Sequence, residues 1–303
     1  MAEFTLPASI LDAVSDPDAR LRLAQAFAAA REAGALLLTM RPGLAPADRK
    51  GRVDLVTEAD RASERLLLDR LATALPDDRL VGEEGASHGP RDARWRWYLD
   101  PVDGTTNYVT GLPHFAVSLG GLLDGVPAVG VVSAPALGTT WLAASGGGAW
   151  RVSHDLGGPA PVRLAVSPAT DTADVLAATG FPYDRSRGLG RLLGQMERAA
   201  LRCLCVRRLG SASLALALVA DGVLGLYWES SLKPWDYAAG VVLVREAGGR
   251  VTDHAGRDET TRPADDGAGP LGPDLAASNG HLHRVLLEGI IAEPTPEPDG
   301  AAG

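Results

Sequence analysis

The stretch 100–108 reads Asp100-Pro101-Val102-Asp103-Gly104-Thr105-Thr106-Asn107-Tyr108. Its two carboxylates stand three residues apart, and the proline stiffens the turn so that both acids, together with the main-chain carbonyl of Val102, can point into one cleft. The Gly-Thr-Thr segment follows at once, and the backbone N–H groups of such a turn can hold an anion. An isolated D-P-x-D is commonly an Asx turn at a strand end. The appended Gly-Thr-Thr-Asn favours hard oxygen ligands for a metal beside a phosphate site.

Two further acidic segments lie far from this stretch in sequence. Glu83-Glu84 follows the strand-like run Leu80-Val81-Gly82, so a loop at the end of that strand can deliver Glu83 to the same cleft. Asp236, in Trp235-Asp236-Tyr237, begins an apolar helical run. Taken alone, adjacent acids are usually a solvated surface pair, and a single Asp at a helix start is usually an N-cap. Together with the stretch 100–108, they predict a shared metal site.

The three segments resemble the inositol monophosphatase family, a family of magnesium-dependent sugar phosphatases. The second family signature is matched by the longer run Lys233-Pro234-Trp235-Asp236-Tyr237-Ala238-Ala239-Gly240. The resemblance extends from Lys50 to about Asn279. It implies an α+β fold, a layered α/β/α/β/α sandwich with the active site between the two halves, and usually a homodimer.

The resemblance also implies a site for two or three Mg²⁺ ions. The expected ligands are four carboxylates and one main-chain carbonyl, from Glu83, Asp100, Val102, Asp103 and Asp236. Glu84 is expected to support this site from outside the ligand set. Magnesium is commonly held by a few carboxylates together with substrate phosphate oxygens, so the donor set suits it.

Two residues are expected to activate the attacking water. The family's Asp-x-x-Thr-x-x-Asp segment is matched by Asp54, Thr57 and Asp60, and the resemblance assigns Asp60 and Thr105 to the nucleophile. A metal-bound water is already acidified, so a nearby carboxylate and hydroxyl are enough to take its proton and orient the attack. A cap on the following helix is the alternative role for Asp60.

Substrate contacts follow from weaker matches. The resemblance implies that the turn after Asp103 receives the phosphate, while the hydroxyl-binding side includes a Gly-Ser-Ala turn, an acid seven residues before Asp236, and Asp236 itself. The expected substrate-binding residues are Gly104, Thr105, Thr106, Ser211, Ala212, Glu229 and Asp236. Lys50 resembles a family lysine, although its spacing to Asp54 is one residue short, and an exposed lysine is the alternative.

The expected reaction is hydrolysis of a phosphate monoester on a small polyol, with myo-inositol monophosphate as the first choice of substrate. No Ser-His-Asp set or C-x₅-R phosphate loop offers a covalent route, so direct attack by water is favoured. Histidinol phosphate, fructose 1,6-bisphosphate and nucleotide 3'-phosphates are alternative substrates within the family. A catalytically silent, metal-binding regulatory protein on the same fold is the alternative from another class.

Composition limits the classes of partner. The chain has 303 residues, of which 46% are hydrophobic and 22% charged, and its formal net charge is −9. No dense Lys/Arg run is present, so no nucleic-acid partner is expected. An acidic protein that handles a phosphate ester needs cations between the like charges, which agrees with Mg²⁺.

The expected compartment is the cytoplasm. Cys203 and Cys205 are one residue apart, too close for a loop-closing disulfide and wrongly spaced for a C-x-x-C motif. Residues 1–10 lack the basic start and apolar run of a secretory signal. The most apolar segment, 214–228, is too short to span a bilayer, so no membrane association is expected.

The expected architecture has helices first and strands after, which indicates an α+β arrangement. Helices are predicted over 18–40, after Asp60, over 189–200, over 211–219 and from the Trp-Asp motif to 247. Strands are predicted over 96–99, 115–123, 128–133 and 140–144, with a hairpin turn at 146–148. A Gly/Pro-rich seam at 152–166 suggests an N-terminal half, 1–150, and a C-terminal half, 151–293, followed by a disordered tail, 294–303.

Overall fold

The structure, a computed structural model, describes residues 4–41, 48–49, 55–155, 158–182, 188–258 and 274–292. Lys50, Asp54 and the tail 294–303 lie outside the described residues, so the expectations for them stay predictions.

The first layer is helical. Its helices are α1, Ala8–Ala13; α2, Pro17–Met40; and α3, Glu58–Ala74. α2 begins at a proline in its first turn, where the absent N–H would have no helical partner, and the side chain of Asp16 accepts from the Asp18 amide at 3.0 Å. α3 begins with a capping box between Thr57 and Asp60. Both helices bury one face against the sheet that follows.

An eight-stranded sheet forms the second layer. The pair β1, Asp48–Arg49, and β2, Leu55–Val56, stands apart from this sheet. The strands of the eight-stranded sheet are β3, Arg79–Gly82; β4, Ser87–His88; β5, Trp95–Asp103; β6, Ala116–Leu123; β7, Val126–Ala134; β8, Thr139–Ala144; β9, Gly148–Ser153; and β10, Val162–Arg163. They lie in the order β10-β9-β8-β7-β6-β5-β3-β4. Only the β3–β5 pairing is parallel among the described pairs of this sheet. The short helix α4, Thr105–Thr110, connects β5 to β6.

The C-terminal part adds a second sheet and the remaining helices. The strands of the five-stranded sheet are β11, Leu176–Thr179; β12, Cys205–Arg207; β13, Leu224–Glu229; β14, Arg250–Asp253; and β15, Leu275–Ser278. They lie in the order β12-β11-β13-β15-β14. The helices are α5, Leu189–Ala200; α6, Ala212–Ala220; α7, Pro234–Glu246; and a π-helix, Val285–Ile291.

Helices α6 and α7 lie between the two sheets. Their apolar side chains share one core with Val132 and Trp141 of the first sheet and with Tyr227 and Val251 of the second. Side chains along β13 point alternately to the two faces of the second sheet. Tyr227 therefore faces α6 and α7, whereas Leu226 and Trp228 face a separate core on the other side, which contains the π-helix. The layers are therefore helices, sheet, helices, sheet, helices, and the predicted α/β/α/β/α sandwich is confirmed.

Small residues let α7 lie directly on the first sheet. A Cβ added at Gly120 would come within 2.6 Å of the Ala239 amide nitrogen, and one added at Gly130 would fall on the Ala239 carbonyl. The Ala-Ala-Gly run after Asp236 and the glycines of β6 and β7 thus remove side-chain bulk from both surfaces. This close approach brings the first turn of α7 to the end of β5.

The elements agree with most of the sequence predictions. Helix α5 has the predicted bounds, and the predicted hairpin turn lies between β8 and β9, with Gly146 and Gly147 in the turn and Gly148 as the first residue of β9. The first sheet extends to Arg163, beyond the expected boundary at residue 150, and the division into halves stays a prediction. Within the described parts of the chain, no helix combines the length and the apolar character needed to cross a bilayer.

Candidate metal and phosphate site

A cavity of about 230 Å³ lies where the ends of β3 and β5 meet the first turns of α4 and α7. The parallel pairing of β3 with β5 places Gly82 beside Leu99, so Glu83 and Asp100 leave the sheet at the same edge. The cavity is lined by Glu83, Asp100, Val102, Asp103, Gly104, Thr105, Ser231, Lys233, Trp235 and Asp236. All five predicted metal ligands therefore border one space.

The Asp-Pro-Val-Asp turn is a break in the sheet. The β5–β6 register shifts between Asp100 and Asp103, and the Val102 amide donates to Asp100 Oδ1 at 2.9 Å. Because the turn interrupts the alternation of side chains along β5, both acids line the same cavity. Both are buried, with 2% and 8% of their surface exposed.

The buried acids repel one another. Burial raises the pKa of Asp100 well above its ordinary value, and the charges of Glu83, Asp103 and Asp236 raise this pKa further. The pKa of Asp236 is also raised well above its ordinary value, first by burial and then by the charge of Asp103. Four carboxylates held this close favour a cation among them.

The carboxylates are not gathered into a finished coordination shell. Among the residues that the structure describes, no three His, Cys, Asp or Glu side chains form a group that could hold a metal ion as they stand. Several of the acids are hydrogen-bonded to the protein instead. The donor set and its burial fit a magnesium ion, since carboxylate and carbonyl oxygens are its protein ligands.

Asp103 is tied to the start of α6. Its Oδ2 accepts from Ser211 Oγ at 2.7 Å, from the Ser213 amide at 2.7 Å and from Ser213 Oγ at 2.5 Å, while Oδ1 accepts from the Ala212 amide at 3.3 Å. Burial raises the pKa of Asp103, although these hydrogen bonds oppose the shift. Ser211 and Ala212, expected as substrate contacts, thus contact Asp103 directly and do not line the cavity.

Asp60 and Thr105 also meet. Thr105 Oγ1 lies 3.1 Å from Asp60 Oδ1 and 3.0 Å from the Val102 carbonyl, and its single hydrogen can be donated to either. Asp60 Oδ2 accepts from the Thr57 amide at 2.9 Å. Burial is the main reason why the pKa of Asp60 is raised. Asp60 therefore caps α3 and also reaches the edge of the cavity through Thr105.

Asp236 also combines two roles. Its Oδ2 accepts from the Lys233 amide at 2.6 Å, which satisfies a donor at the start of α7. Asp236 is therefore not the N-cap of α7, which is Lys233; it is the third helical residue, and its carboxylate caps the Lys233 amide while it also lines the cavity. Ser118 Oγ donates to the Trp235 carbonyl at 3.2 Å and ties this turn to β6.

Two more of the expected substrate residues, Thr106 and Glu229, also do not line the cavity. Thr106 is exposed on α4. Glu229, at the end of β13, accepts from Tyr227 Oη at 2.6 Å. Burial raises the pKa of Glu229 to about 7, and the charge of Asp103 adds to the shift, while Tyr227 and Arg208 oppose it. A Cβ added at Gly180 would overlap the Glu229 carboxylate, so this glycine leaves room for the acid.

Sequence reasoning missed several residues of the site. Ser231 and Lys233 line the cavity, and Ser231 adopts a left-handed φ of 68°. Ser213 holds Asp103, and a serine near the start of an apolar helical run is a signal that could have suggested such a contact. Tyr227 is fully buried with its hydroxyl on Glu229, and no pattern in the sequence pointed to that pairing.

Known proteins resemble this chain over most of its length. The model of the inositol monophosphatase family matches residues 18–294. The Nus factor SuhB of Salmonella typhimurium is 38% identical over 233 residues, which is 76% of this chain and 84% of that protein. The inositol-1-monophosphatase of Rhizobium meliloti is 36% identical over 248 residues, which is 82% of this chain and 86% of that protein.

A solved structure extends the similarity to the fold. The inositol monophosphatase from Anabaena superposes with a TM-score of 0.76 at 33% identity, over 91% of this chain and 98% of that one. Together with the family match over residues 18–294, this means that the chain belongs to the inositol monophosphatase family.

Proposed function

We propose that this protein is a Mg²⁺-dependent phosphate monoester hydrolase that acts on a small polyol phosphate, with myo-inositol monophosphate as its preferred substrate. One observation carries the proposal: Glu83, Asp100, Asp103 and Asp236 line a single cavity that also contains the Gly104-Thr105 turn. Membership of a phosphatase family supports the reaction type.

The same four carboxylates, with the Val102 carbonyl, are the proposed ligands of two or three Mg²⁺ ions. When bound, the metal supplies an acidified water and charge stabilisation for the phosphoryl oxygens. The chain contributes a buried, strongly negative pocket whose acids are destabilised by one another without a cation. Lys233, an exposed residue that also lines the cavity, adds a positively charged side chain.

The remaining steps belong to residues of the chain. Asp60, held 3.1 Å from Thr105 Oγ1, accepts the proton of the attacking water through this hydroxyl. The backbone of Gly104, Thr105 and Thr106 receives the phosphate at the start of α4. Asp236 orients the polyol hydroxyl groups from the cavity wall. Ser211 and Ala212 act on this side through Asp103, which they hold by hydrogen bonds, and the contact proposed for Glu229 requires the polyol to extend beyond the cavity lining. Direct attack by water requires no covalent enzyme intermediate.

Phosphate release across a substrate panel tests this proposal. The panel contains myo-inositol 1-phosphate, histidinol phosphate, fructose 1,6-bisphosphate and a nucleotide 3'-phosphate, each with Mg²⁺ and with excess EDTA. The expected result is Mg²⁺-dependent release with the highest kcat/KM for the inositol ester. A higher kcat/KM for another ester would change the substrate, and no release from any ester would reject the hydrolase.

The second candidate is a regulatory protein without catalytic activity. The similarity to proteins named Nus factor SuhB favours it, whereas the complete set of candidate ligands favours the enzyme. The same panel separates them, because a silent protein binds Mg²⁺ without releasing phosphate.

The proposal includes a homodimer in the cytoplasm, without nucleic-acid or membrane partners. Helix α5 and the residues after it expose Leu193, Leu201 and Leu204, with 51%, 78% and 65% of their surface accessible. A contiguous patch of exposed apolar side chains is typical of an interface, and these leucines are the residues proposed to contribute to one. Cys203 and Cys205 are free thiols, which suits a reducing compartment. Light scattering should give about twice the chain mass, and a monomer would reject this part.

A further inference from the structure

One face of α3 lies beneath the loops that supply the metal ligands. Asp60, Ser63 and Glu64 stand at positions i, i+3 and i+4 of the helix and are all buried, although all three are polar. Buried polar side chains are expected to be hydrogen-bonded. The hydrogen-bond partners of these three side chains lie in the segments that carry the proposed metal ligands.

Each of the three side chains reaches a different part of the site. Asp60 meets Thr105, as described above. Ser63 Oγ donates to the Pro101 carbonyl at 3.1 Å, inside the Asp-Pro-Val-Asp turn. Glu64 Oε1 accepts from the Glu84 amide at 2.9 Å. No pattern in the sequence pointed to Ser63 or Glu64.

The turn that carries Glu83 is anchored at its ends by the backbone. The Glu83 amide donates to the Leu99 carbonyl of β5 at 3.0 Å, and the Gly82 amide donates to the Ala86 carbonyl at 2.9 Å. The amide of Glu84 points to the helix instead, where Glu64 receives it. This bond joins the middle of the turn to α3.

Gly82 is shaped to this contact. Its φ is not in the left-handed region, so no backbone constraint requires glycine there. A Cβ added at Gly82 would fall on Glu64 Oε1 and would lie 2.7 Å from Glu64 Cδ. The missing side chain therefore provides the space that the Glu64 carboxylate occupies beside the strand.

We propose that Glu64 is a positioning residue, which fixes the turn at residues 82–86 so that Glu83 faces Asp100 and Asp236, and which thereby sets the Mg²⁺ affinity. The inference rests on the proposed function of the cavity as a Mg²⁺ site. Residues that orient metal ligands typically change metal affinity about 10–100-fold when they are removed. The active group in this role is the acceptor oxygen, so a neutral glutamine can replace it.

The first test measures Mg²⁺ binding to the metal-free protein by titration calorimetry. Glu64→Ala should raise the Mg²⁺ dissociation constant roughly 10–100-fold, and Glu64→Gln should return it close to the wild-type value. The matched control is Glu58→Ala, on the same helix, whose exposed carboxylate pairs with Arg65; this variant should bind like the wild type.

The second test does not depend on metal. In the absence of Mg²⁺, deuterium exchange in a peptide covering residues 82–86 should be faster in Glu64→Ala than in the wild type or in Glu64→Gln.

Gly82→Ala should weaken Mg²⁺ binding because it displaces the Glu64 carboxylate. The double variant Gly82→Ala/Glu64→Ala should have a higher free energy of unfolding than Gly82→Ala, because the clash between the added Cβ and the Glu64 carboxylate is gone. It should still bind Mg²⁺ weakly, because the hydrogen bond from the Glu84 amide is absent.

The outcomes separate the inference from the proposed function. Wild-type affinity in Glu64→Ala, with Mg²⁺ binding intact in the wild type, overturns the positioning role. A wild-type protein that binds no Mg²⁺ overturns the proposed metal site and the inference with it. Should Glu64→Ala not fold, Glu64→Asp replaces it: this shorter carboxylate withdraws the acceptor, so weak binding in Glu64→Asp with normal binding in Glu64→Gln supports the proposal, and equal binding in both rejects it.

Discussion

Asp103 shows how a single side chain serves both structure and chemistry. It lies in the cavity among three other acids, and its oxygens also receive four hydrogen bonds from the start of α6. Burial raises the pKa of Asp103 while the hydrogen bonds lower it. The hydrogen bonds from the serines therefore favour the ionised form of Asp103, which burial alone would disfavour.

Replacing this carboxylate should separate turnover from folding. Asp103→Asn keeps one oxygen for Ser211 and Ser213 and removes a negative charge from the cluster. We expect kcat with an inositol phosphate to fall roughly 10²-fold or more, the scale found when a group that stabilises transition-state charge is lost. The melting temperature without Mg²⁺ should change little, because relieved repulsion offsets the loss of the Ala212 N–H contact, where the Asn NH₂ replaces Oδ1. Near-normal turnover would contradict the proposed ligand role.

Glu229 predicts a pH dependence of stability. Its pKa in the folded protein is about 7, against an ordinary 4.5. Below pH 4.5 the carboxyl is protonated in both states; between these values the unfolded chain loses the proton and the folded chain keeps it, so stability falls as pH rises. The resulting loss in the free energy of unfolding is complete above about pH 7 and amounts to about 3 kcal/mol at most.

Urea unfolding in EDTA checks this sign. At pH 8 Glu229→Gln should be more stable than the wild type, and at pH 4.5 the two should agree, because the amide carries no charge and still accepts from Tyr227. The exposed Glu197 on α5 provides the control Glu197→Gln, which should follow the wild type at both pH values. A difference that is independent of pH would show that packing, not ionisation, separates the variants.

Among the elements, α3 and α7 do most to assemble the site. α3 presents Asp60, Ser63 and Glu64 to the cavity loops, and α7 brings Asp236 across the sheet. The sequence predicted both helices from the helical spacing of apolar residues and from the Trp-Asp motif, and the structure adds a capping box at the start of α3 and a proline in the first turn of α7. The sequence could not predict the contact between Ser213 and Asp103, because 110 residues separate the partners and no local pattern reports such a distance.

The packing of α7 on the sheet predicts a large effect from a single methyl group. Gly130→Ala places a Cβ on the Ala239 carbonyl, and a backbone atom cannot move aside cheaply. We expect a loss of about 1–3 kcal/mol in the free energy of unfolding and weaker Mg²⁺ binding, since α7 carries Asp236. Chemical denaturation and calorimetry measure the two effects.

The control for this element is Gly190→Ala in α5. A Cβ added at Gly190 meets nothing within 4 Å, and alanine is the better helix former. Its stability should equal or exceed that of the wild type by up to about 1 kcal/mol. Equal destabilisation by both substitutions would mean that the close approach of α7 is not what Gly130 provides.

At the scale of the whole molecule, the layer order places the site. Two sheets with helices between them bring the ends of β3 and β5 to the start of α7, so acids from residues 83, 100, 103 and 236 meet in one cavity. The motifs identified these acids without the fold. The motifs did not identify Glu64, Ser213 and Tyr227, which contact the site residues, because these contacts exist only in the tertiary structure.

The charge of the molecule gives the last prediction. With a formal net charge of −9 and four acids around one cavity, the folded protein should gain stability from Mg²⁺, because a ligand that binds only the folded state stabilises it by mass action. At a hundred times the dissociation constant the gain is about 2.7 kcal/mol, and the melting temperature should rise by several degrees.

Excess EDTA should reverse the rise. Asp236→Asn should lose most of it, whereas Asp124→Asn, which removes an exposed acid paired with Arg94, should keep it. An equal rise with NaCl at matched ionic strength, or an unchanged rise in Asp236→Asn, would mean that Mg²⁺ acts by screening the surface charge and not by binding in the cavity.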